Sequence, residues 1–149
     1  MTTESASVFV DAKTGKGSAA RRTLLGLGTA VYLISFLWPA VDRMPGWFCA
    51  VMSLFGQGYF RRFNLLIFAS GMINPLALAC LGLRMLGKAS TVRRAIAITA
   101  LTLIPLSWIA IFELDFRIEI GHVAWVVGLL LMMAPEAIGM PRAASPRGI

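Results

Sequence analysis

Charged residues are scarce in this chain of 149 residues, and so are the side chains that most often carry catalysis. Asp, Glu, Lys and Arg together make up 14% of the chain, against about 25% in ordinary globular domains. There is one histidine, His122, and the two cysteines, Cys49 and Cys80, form no CxxC pair. These counts exclude a disulfide framework, a zinc site and a haem held by two histidines.

Sequence motifs of catalysis are missing as well. The chain has no HExxH, no Gly-rich phosphate loop, no Walker pattern and no nucleophile with a base nearby in sequence. We therefore expect no enzymatic activity, no catalytic residue, no cofactor and no bound metal. The net charge is +7, but the basic residues stand in small groups between apolar runs and form no stripe on a soluble face. This distribution argues against a nucleic-acid partner.

Apolar residues, in contrast, make up 58% of the chain, above the usual 45–50% or so. A soluble domain of this size leaves roughly 30% of its unfolded-chain surface exposed, so one core cannot bury all of these apolar residues. Lipid is therefore the expected solvent for those that remain at the surface. Four runs have the length of a membrane span, roughly 17–25 residues, without an interior charge: 23–41, 63–83, 95–112 and 121–138. The sequence therefore predicts an all-α membrane protein, with four helices in an up-down-up-down bundle. The first span is interpreted as an uncleaved signal anchor, residues 1–22 as a flexible cytoplasmic tail and residues 139–149 as a disordered cytoplasmic tail.

A fifth apolar stretch, residues 44–60, is assigned from the distribution of charge. With four spans and a cytoplasmic N-terminus, the inner side carries ten Lys and Arg residues and the outer side four; a fifth crossing would make the two sides equal. Because Lys and Arg are enriched on the cytoplasmic side, this favours four spans, with 44–60 as an outer segment containing a short interfacial helix. All four tryptophans then fall on the outer side, as an aromatic belt would place them: Trp38, Trp47, Trp108 and Trp125.

The predicted location is the bacterial cytoplasmic (inner) membrane, with both termini cytoplasmic. The basic inner side would face anionic lipid headgroups, each nearby basic residue adding about 1 kcal/mol.

Each predicted span contains one proline, and two of these lie in span interiors. Pro75 and Pro105 would leave the carbonyls of Gly71 and Leu101 without their helical donors. These positions are either broken helices around a transport site or ordinary kinks satisfied by neighbouring groups. Asn74 is the most polar residue at mid-membrane, and it either pairs helices or lines a path. We favour ordinary kinks and helix pairing, since a neutral amide cannot itself carry a proton.

The outer segment 113–120 alternates charged and apolar residues, which is the period of an extended strand. Its acids are weak candidates for an outer-face ligand or cation site together with nearby basic residues: Arg61, Arg62, Glu113, Asp115, Glu119 and His122. Glu119 and His122 have ExxH spacing, but a di-metal bundle site needs two such motifs and two further Glu. We therefore favour a solvated loop whose acids pair with Arg61 and Arg62.

These features favour a small polytopic membrane protein that acts through helix–helix contacts, as an accessory, assembly or immunity-type protein. Its partners would be the bilayer, a second copy of itself or a larger membrane protein. The alternative is a small oligomeric transporter or channel subunit. That alternative needs a polar path, for which the spans offer only Asn74 and scattered Ser and Thr.

Overall fold

The computed structural model describes residues 4–55, 64–87 and 90–139, with side chains from residue 19 onward. The described chain is mostly helical, as predicted, with one short hairpin, Pro39–Val41 (β1) paired antiparallel with Met44–Pro45 (β2). The helices, numbered in chain order, are α1 (Glu4–Ser35), α2 (Gly46–Phe55), α3 (Leu65–Gly71), α4 (Ile73–Met85), α5 (Ser90–Glu113) and α6 (Ile120–Ala137).

Three helical segments in the described part of the chain are long and apolar enough to cross a membrane. They are α3 and α4 taken together (Leu65–Met85), α5 and α6. They coincide closely with the second, third and fourth runs predicted from the sequence. The first predicted run, 23–41, is not among them.

The first predicted span, 23–41, differs from the structure at its end. Helix α1 ends at Ser35, and residues 39–41 form β1. Proline cannot donate the next helical hydrogen bond and disfavours helical geometry in the residue before it, so Pro39 stops the helix. The apolar helical part, residues 23–35, is about 20 Å long at ~1.5 Å per residue, which is short of a bilayer core of about 30 Å.

At its other end, α1 begins at Glu4, inside the segment 1–22 for which a flexible tail is predicted. Helix formation is cooperative, and once a nucleus exists each added residue gains a backbone hydrogen bond. The backbone upstream of residue 22 therefore continues the helix that the apolar part of α1 nucleates.

Two glycines allow α1 and α6 to pack antiparallel at close range. A Cβ placed on Gly128 would lie 2.5 Å from the backbone nitrogen of Tyr32, and one on Gly28 would lie 2.6 Å from that of Met132. Small residues permit this approach, which increases van der Waals contact between helices in lipid. Helix α5 then packs on α6 and on α3 and α4. The buried core lies between these helices, around Ile73, Ala97 and Leu129.

The two ends of these helices carry different side chains. Trp38 and Trp47 lie where α1 ends and α2 begins, and Trp108 and Trp125 flank His122 near the turn between α5 and α6. We call this the tryptophan end. The opposite end, which we call the basic end, carries most arginines of the described chain: Arg21, Arg22, Arg84, Arg93 and Arg94.

Helix α2 covers the first part of the predicted interfacial segment 44–60. Its ten residues are apolar except for Ser53 and are too few to cross a membrane, and none of them is buried. It packs against α3 and the hairpin. Asp42 and Arg43, which connect β1 to β2, both have positive φ, as in the two-residue turns typical of hairpins.

Candidate functional site

A cavity of about 300 Å³ lies at the tryptophan end, between α2, α5 and the start of α6. Its walls are largely aromatic and aliphatic, with Phe36, Phe48, Phe116 and Trp125 among them. Polar side chains line it from every helix, and they are Ser35, Ser53, Ser70, Asn74, Ser107 and His122. It has the composition of a small-molecule pocket, which is mostly apolar with a few placed polar groups.

His122 is the most distinctive polar group at the cavity. It lies in the first turn of α6, where its backbone N–H donates to the Glu119 carbonyl at 3.1 Å. Its side chain is buried, and its ring packs between Trp108 and Trp125, with ring centroids 5.4 and 5.3 Å away. The Nε2 atom is buried without a hydrogen-bond partner in the described structure. His122 thus supplies a ring nitrogen with unused hydrogen-bonding capacity.

Two of the acids predicted beside His122, Glu113 and Asp115, are exposed, whereas His122 is buried. The third, Glu119, is the N-cap residue of α6 and is partly buried. Within residues 4–55, 64–87 and 90–139, no three His, Cys, Asp or Glu side chains come together as a metal site would require. Arg61 and Arg62, the basic members of the predicted outer-face site, lie outside the described residues.

The segment 113–120 turns at Leu114 and Asp115, where Asp115 has positive φ, and is non-helical from Phe116 to Glu119. Leu114 and Phe116 point to the cavity, while Asp115 and Arg117 are exposed, so the predicted alternation is present there. The prediction of a strand over all eight residues is wrong at both ends, because Glu113 still belongs to α5 and Ile120 starts α6.

This segment is held to the hairpin by backbone contacts. The Arg117 backbone N–H donates to Asp42 Oδ1 at 2.9 Å, and Ile118 forms a bridge with Val41. These contacts hold the middle of segment 113–120 against the hairpin. At the two ends of the segment, the helices α5 and α6 extend into it and replace the predicted strand.

Asn74, on the α4 side of the cavity, connects three helices through hydrogen bonds. Its Oδ1 accepts a hydrogen bond from the Tyr32 hydroxyl of α1 at 3.1 Å and another from Trp125 Nε1 of α6 at 2.9 Å. This is the geometry expected of a helix-pairing amide. Tyr32 and Trp125 were not singled out as its partners from the sequence, because nothing in the spacing shows which helices are neighbours.

The two interior prolines behave differently. Helix α3 ends at Gly71 and α4 begins at Ile73, so the span is interrupted just before Pro75, whose missing N–H would have bonded the Gly71 carbonyl. The break faces α2, where a Cβ on Gly71 would lie 2.8 Å from Ser53 Oγ. Pro105, in contrast, lies within the uninterrupted helix α5.

The basic end holds a buried ion cluster that sequence reasoning missed. Glu136 Oε1 is 2.5 Å from Arg21 Nη2, and Glu136 Oε2 is 3.8 Å from Arg93 Nε. All three side chains are at most 10% exposed. The cluster connects α1, α5 and α6. It contains two guanidinium groups and one carboxylate. The available signal was Glu136 itself, an acid in the last turn of an apolar run on the basic side.

Comparison of this chain with protein-family models, with curated proteins and with solved structures gives no match. The structure itself indicates the class of protein. It is a mostly helical membrane protein, with three helical segments among the described residues that are long and apolar enough to span a bilayer. It has a cavity at one end and a buried ion cluster at the other.

Proposed function

We propose that this is a four-span membrane protein of the bacterial inner membrane that acts without catalysis, as an accessory, assembly or immunity-type protein, through helix–helix contacts. The observation that supports this best is how the buried polar groups are used. Asn74 pairs α4 with α1 and α6, and Glu136 pairs α6 with α1 and α5. These groups build a rigid set of helices rather than a continuous polar path, and a rigid apolar surface in the membrane is suited to contact another protein.

The packing of α1 supports its assignment as the first of the four spans. From Arg21 to Ser35, α1 runs beside α6 from Glu136 to His122, with close contacts at Gly28 and Gly128. We take α1 to cross the bilayer beside α6, whose contacts compensate for the short apolar part of α1. Both termini then lie at the basic end, which the enrichment of Lys and Arg assigns to the cytoplasm.

Cysteine labelling from outside the cell tests this topology. In a background with Cys49 and Cys80 replaced by Ala, Glu113→Cys should react with an impermeant thiol reagent, and Lys88→Cys should react only after the membrane is opened. Labelling of Lys88→Cys in intact cells would refute the orientation.

Photo-cross-linking in native membranes tests the function. A benzoylphenylalanine at an exposed apolar position, Ile98 or Phe112, should give a discrete protein adduct, either a second copy or one reproducible partner. The same probe at Ile73, which is fully buried, is the matched control. Adducts only with lipid at both exposed positions would contradict the proposal.

A transporter or channel subunit is the second candidate, favoured by the helix break at Met72 beside the Asn74 end of the cavity. Interrupted helices are common at transporter binding sites. In this case Asn74→Leu should abolish function in cells while expression and folding stay normal. If Asn74 only pairs helices, the variant should keep most of its function.

A further inference from the structure

We propose that the cavity at the tryptophan end is a binding site for a neutral, flat ring compound that carries a carbonyl or hydroxyl oxygen, with that oxygen hydrogen-bonded to His122 Nε2 after the buried imidazole turns that atom toward the cavity. This goes beyond the proposed helix–helix function, because it assigns a small-molecule ligand. It requires no chemical change in the ligand.

The size of the cavity suits a ligand of one or two rings. At about 300 Å³, it is at the lower end of small-molecule pockets, which span roughly 300–1,000 Å³. A long acyl chain with a bulky headgroup does not fit this volume. A ring system with small substituents does.

The walls favour an uncharged flat molecule. Among the described residues, no Asp, Glu, Lys or Arg lines the cavity, so it offers a charged ligand no counter-ion. An unpaired charge in such a place would lose several kcal/mol of solvation. Phe36, Phe48, Phe116 and Trp125 instead supply aromatic rings, which prefer offset or edge-to-face contact with another ring.

His122 provides the polar anchor. Its side chain is more than nine-tenths buried, it lines the cavity, and Nε2 has no partner in the described structure. A buried polar atom without a partner is costly, so a ligand that satisfies it gains affinity. Nε2 donates to a carbonyl in one tautomer and accepts from a hydroxyl in the other. Asn74 Oδ1 is less suitable as an anchor, because it already accepts two hydrogen bonds.

Equilibrium dialysis of the protein in nanodiscs, with empty nanodiscs subtracted, tests the proposal with menadione, a methylated naphthoquinone. Cys49 and Cys80 are replaced by Ala for this assay, because a free thiol adds covalently to this quinone and Cys49 lines the cavity. We expect saturable binding of one molecule per chain. The matched probe is 2-methylnaphthalene, which has the same two rings and no oxygen. It should bind about tenfold more weakly, the effect of one net hydrogen bond. His122→Leu should lower menadione affinity to that of 2-methylnaphthalene and leave the hydrocarbon unchanged.

A second pair of variants keeps the test valid if His122→Leu fails to fold. Ala50→Leu on α2 fills part of the cavity and should abolish binding, whereas Val51→Leu, next to it on the exposed face, should not. Non-saturable uptake, equal binding of the two probes, or equal binding by all variants would overturn the proposal. Tighter binding of 1-octanol than of menadione would refute the proposal that the ligand is a ring compound and would assign the cavity to an acyl chain. None of these outcomes depends on the cross-linking result.

Discussion

Replacing Glu136 by Gln should be among the most damaging single substitutions at the basic end. Glu136 is the carboxylate shared by Arg21 and Arg93, both more than nine-tenths buried. Breaking a buried pair by removing one partner costs about 3–5 kcal/mol, because it leaves an uncompensated buried charge. Here two guanidinium groups lose their partner together, so we expect Glu136→Gln to lower the free energy of unfolding by an amount in the upper part of that range.

A second substitution should restore part of this loss. Arg93 is 3.8 Å from Glu136, and its Nε and Nη2 lack hydrogen-bond partners in the described structure. Arg93→Gln alone keeps the Arg21–Glu136 contact and should cost less than Glu136→Gln. In the double variant one buried charge is gone, so stability should rise by about 1–3 kcal/mol over Glu136→Gln, within the usual range of coupling between contacting residues.

Reversible unfolding in mixed micelles, followed by circular dichroism, measures these differences. Arg94→Gln is the matched control, because Arg94 is the exposed neighbour of Arg93 and contacts only the Ala137 carbonyl among its described hydrogen bonds. It should change stability little. A cost below about 1 kcal/mol for Glu136→Gln, or strict additivity in the double variant, would refute the argument from buried charge.

Three further predictions concern the rest of the described structure. Gly128→Ala should destabilise the protein, because its Cβ would lie 2.5 Å from the Tyr32 nitrogen, whereas Gly26→Ala, which meets nothing within 4 Å, should be neutral or stabilising in the same unfolding assay. Asn74→Leu should lower the free energy of unfolding by about 1 kcal/mol, because it removes two interhelical hydrogen bonds worth ~0.6 kcal/mol each. A change near zero would contradict this energetic role of Asn74. Burial raises the pKa of the Cys49 thiol, so less thiolate is present at a given pH, and alkylation should need a higher pH than for a free cysteine; an alkylation profile equal to that of a cysteine peptide would contradict this.

Hydrophobic run length predicted most of the fold. It located α3 with α4, α5 and α6, because a lipid-facing helix must be apolar along its length. It overestimated the first span, since a run of apolar letters does not show where a helix ends. Pro39 was visible as the proline of the first predicted span, but the turn that follows α1 depends on the hairpin and on its contacts with segment 113–120.

The candidate site was less accessible from sequence than the fold. His122 and Asn74 stood out because polar residues are rare in this chain, and the structure brings both to one cavity. The partners of Asn74 come from positions 42 and 51 residues away, and Arg21 is 115 residues from Glu136. Such distant pairs depend on which helices are neighbours, and the hydrophobic pattern of a single sequence does not specify that.

The pairing of the first helix with the last gives a physical reason for the buried charges. The apolar part of α1 is about 20 Å long, too short to hold its place in a bilayer by hydrophobicity alone. Close packing at Gly28 of α1 and Gly128 of α6 adds van der Waals contact between the two helices, and the Arg21–Glu136 pair fixes the register of α1 at the basic end. A buried ion pair contributes little net stability compared with apolar residues of the same volume, but it specifies one arrangement against others. For a short helix that could slide along its neighbour, a fixed register keeps Tyr32 beside Asn74 and so preserves the wall of the cavity at the opposite end.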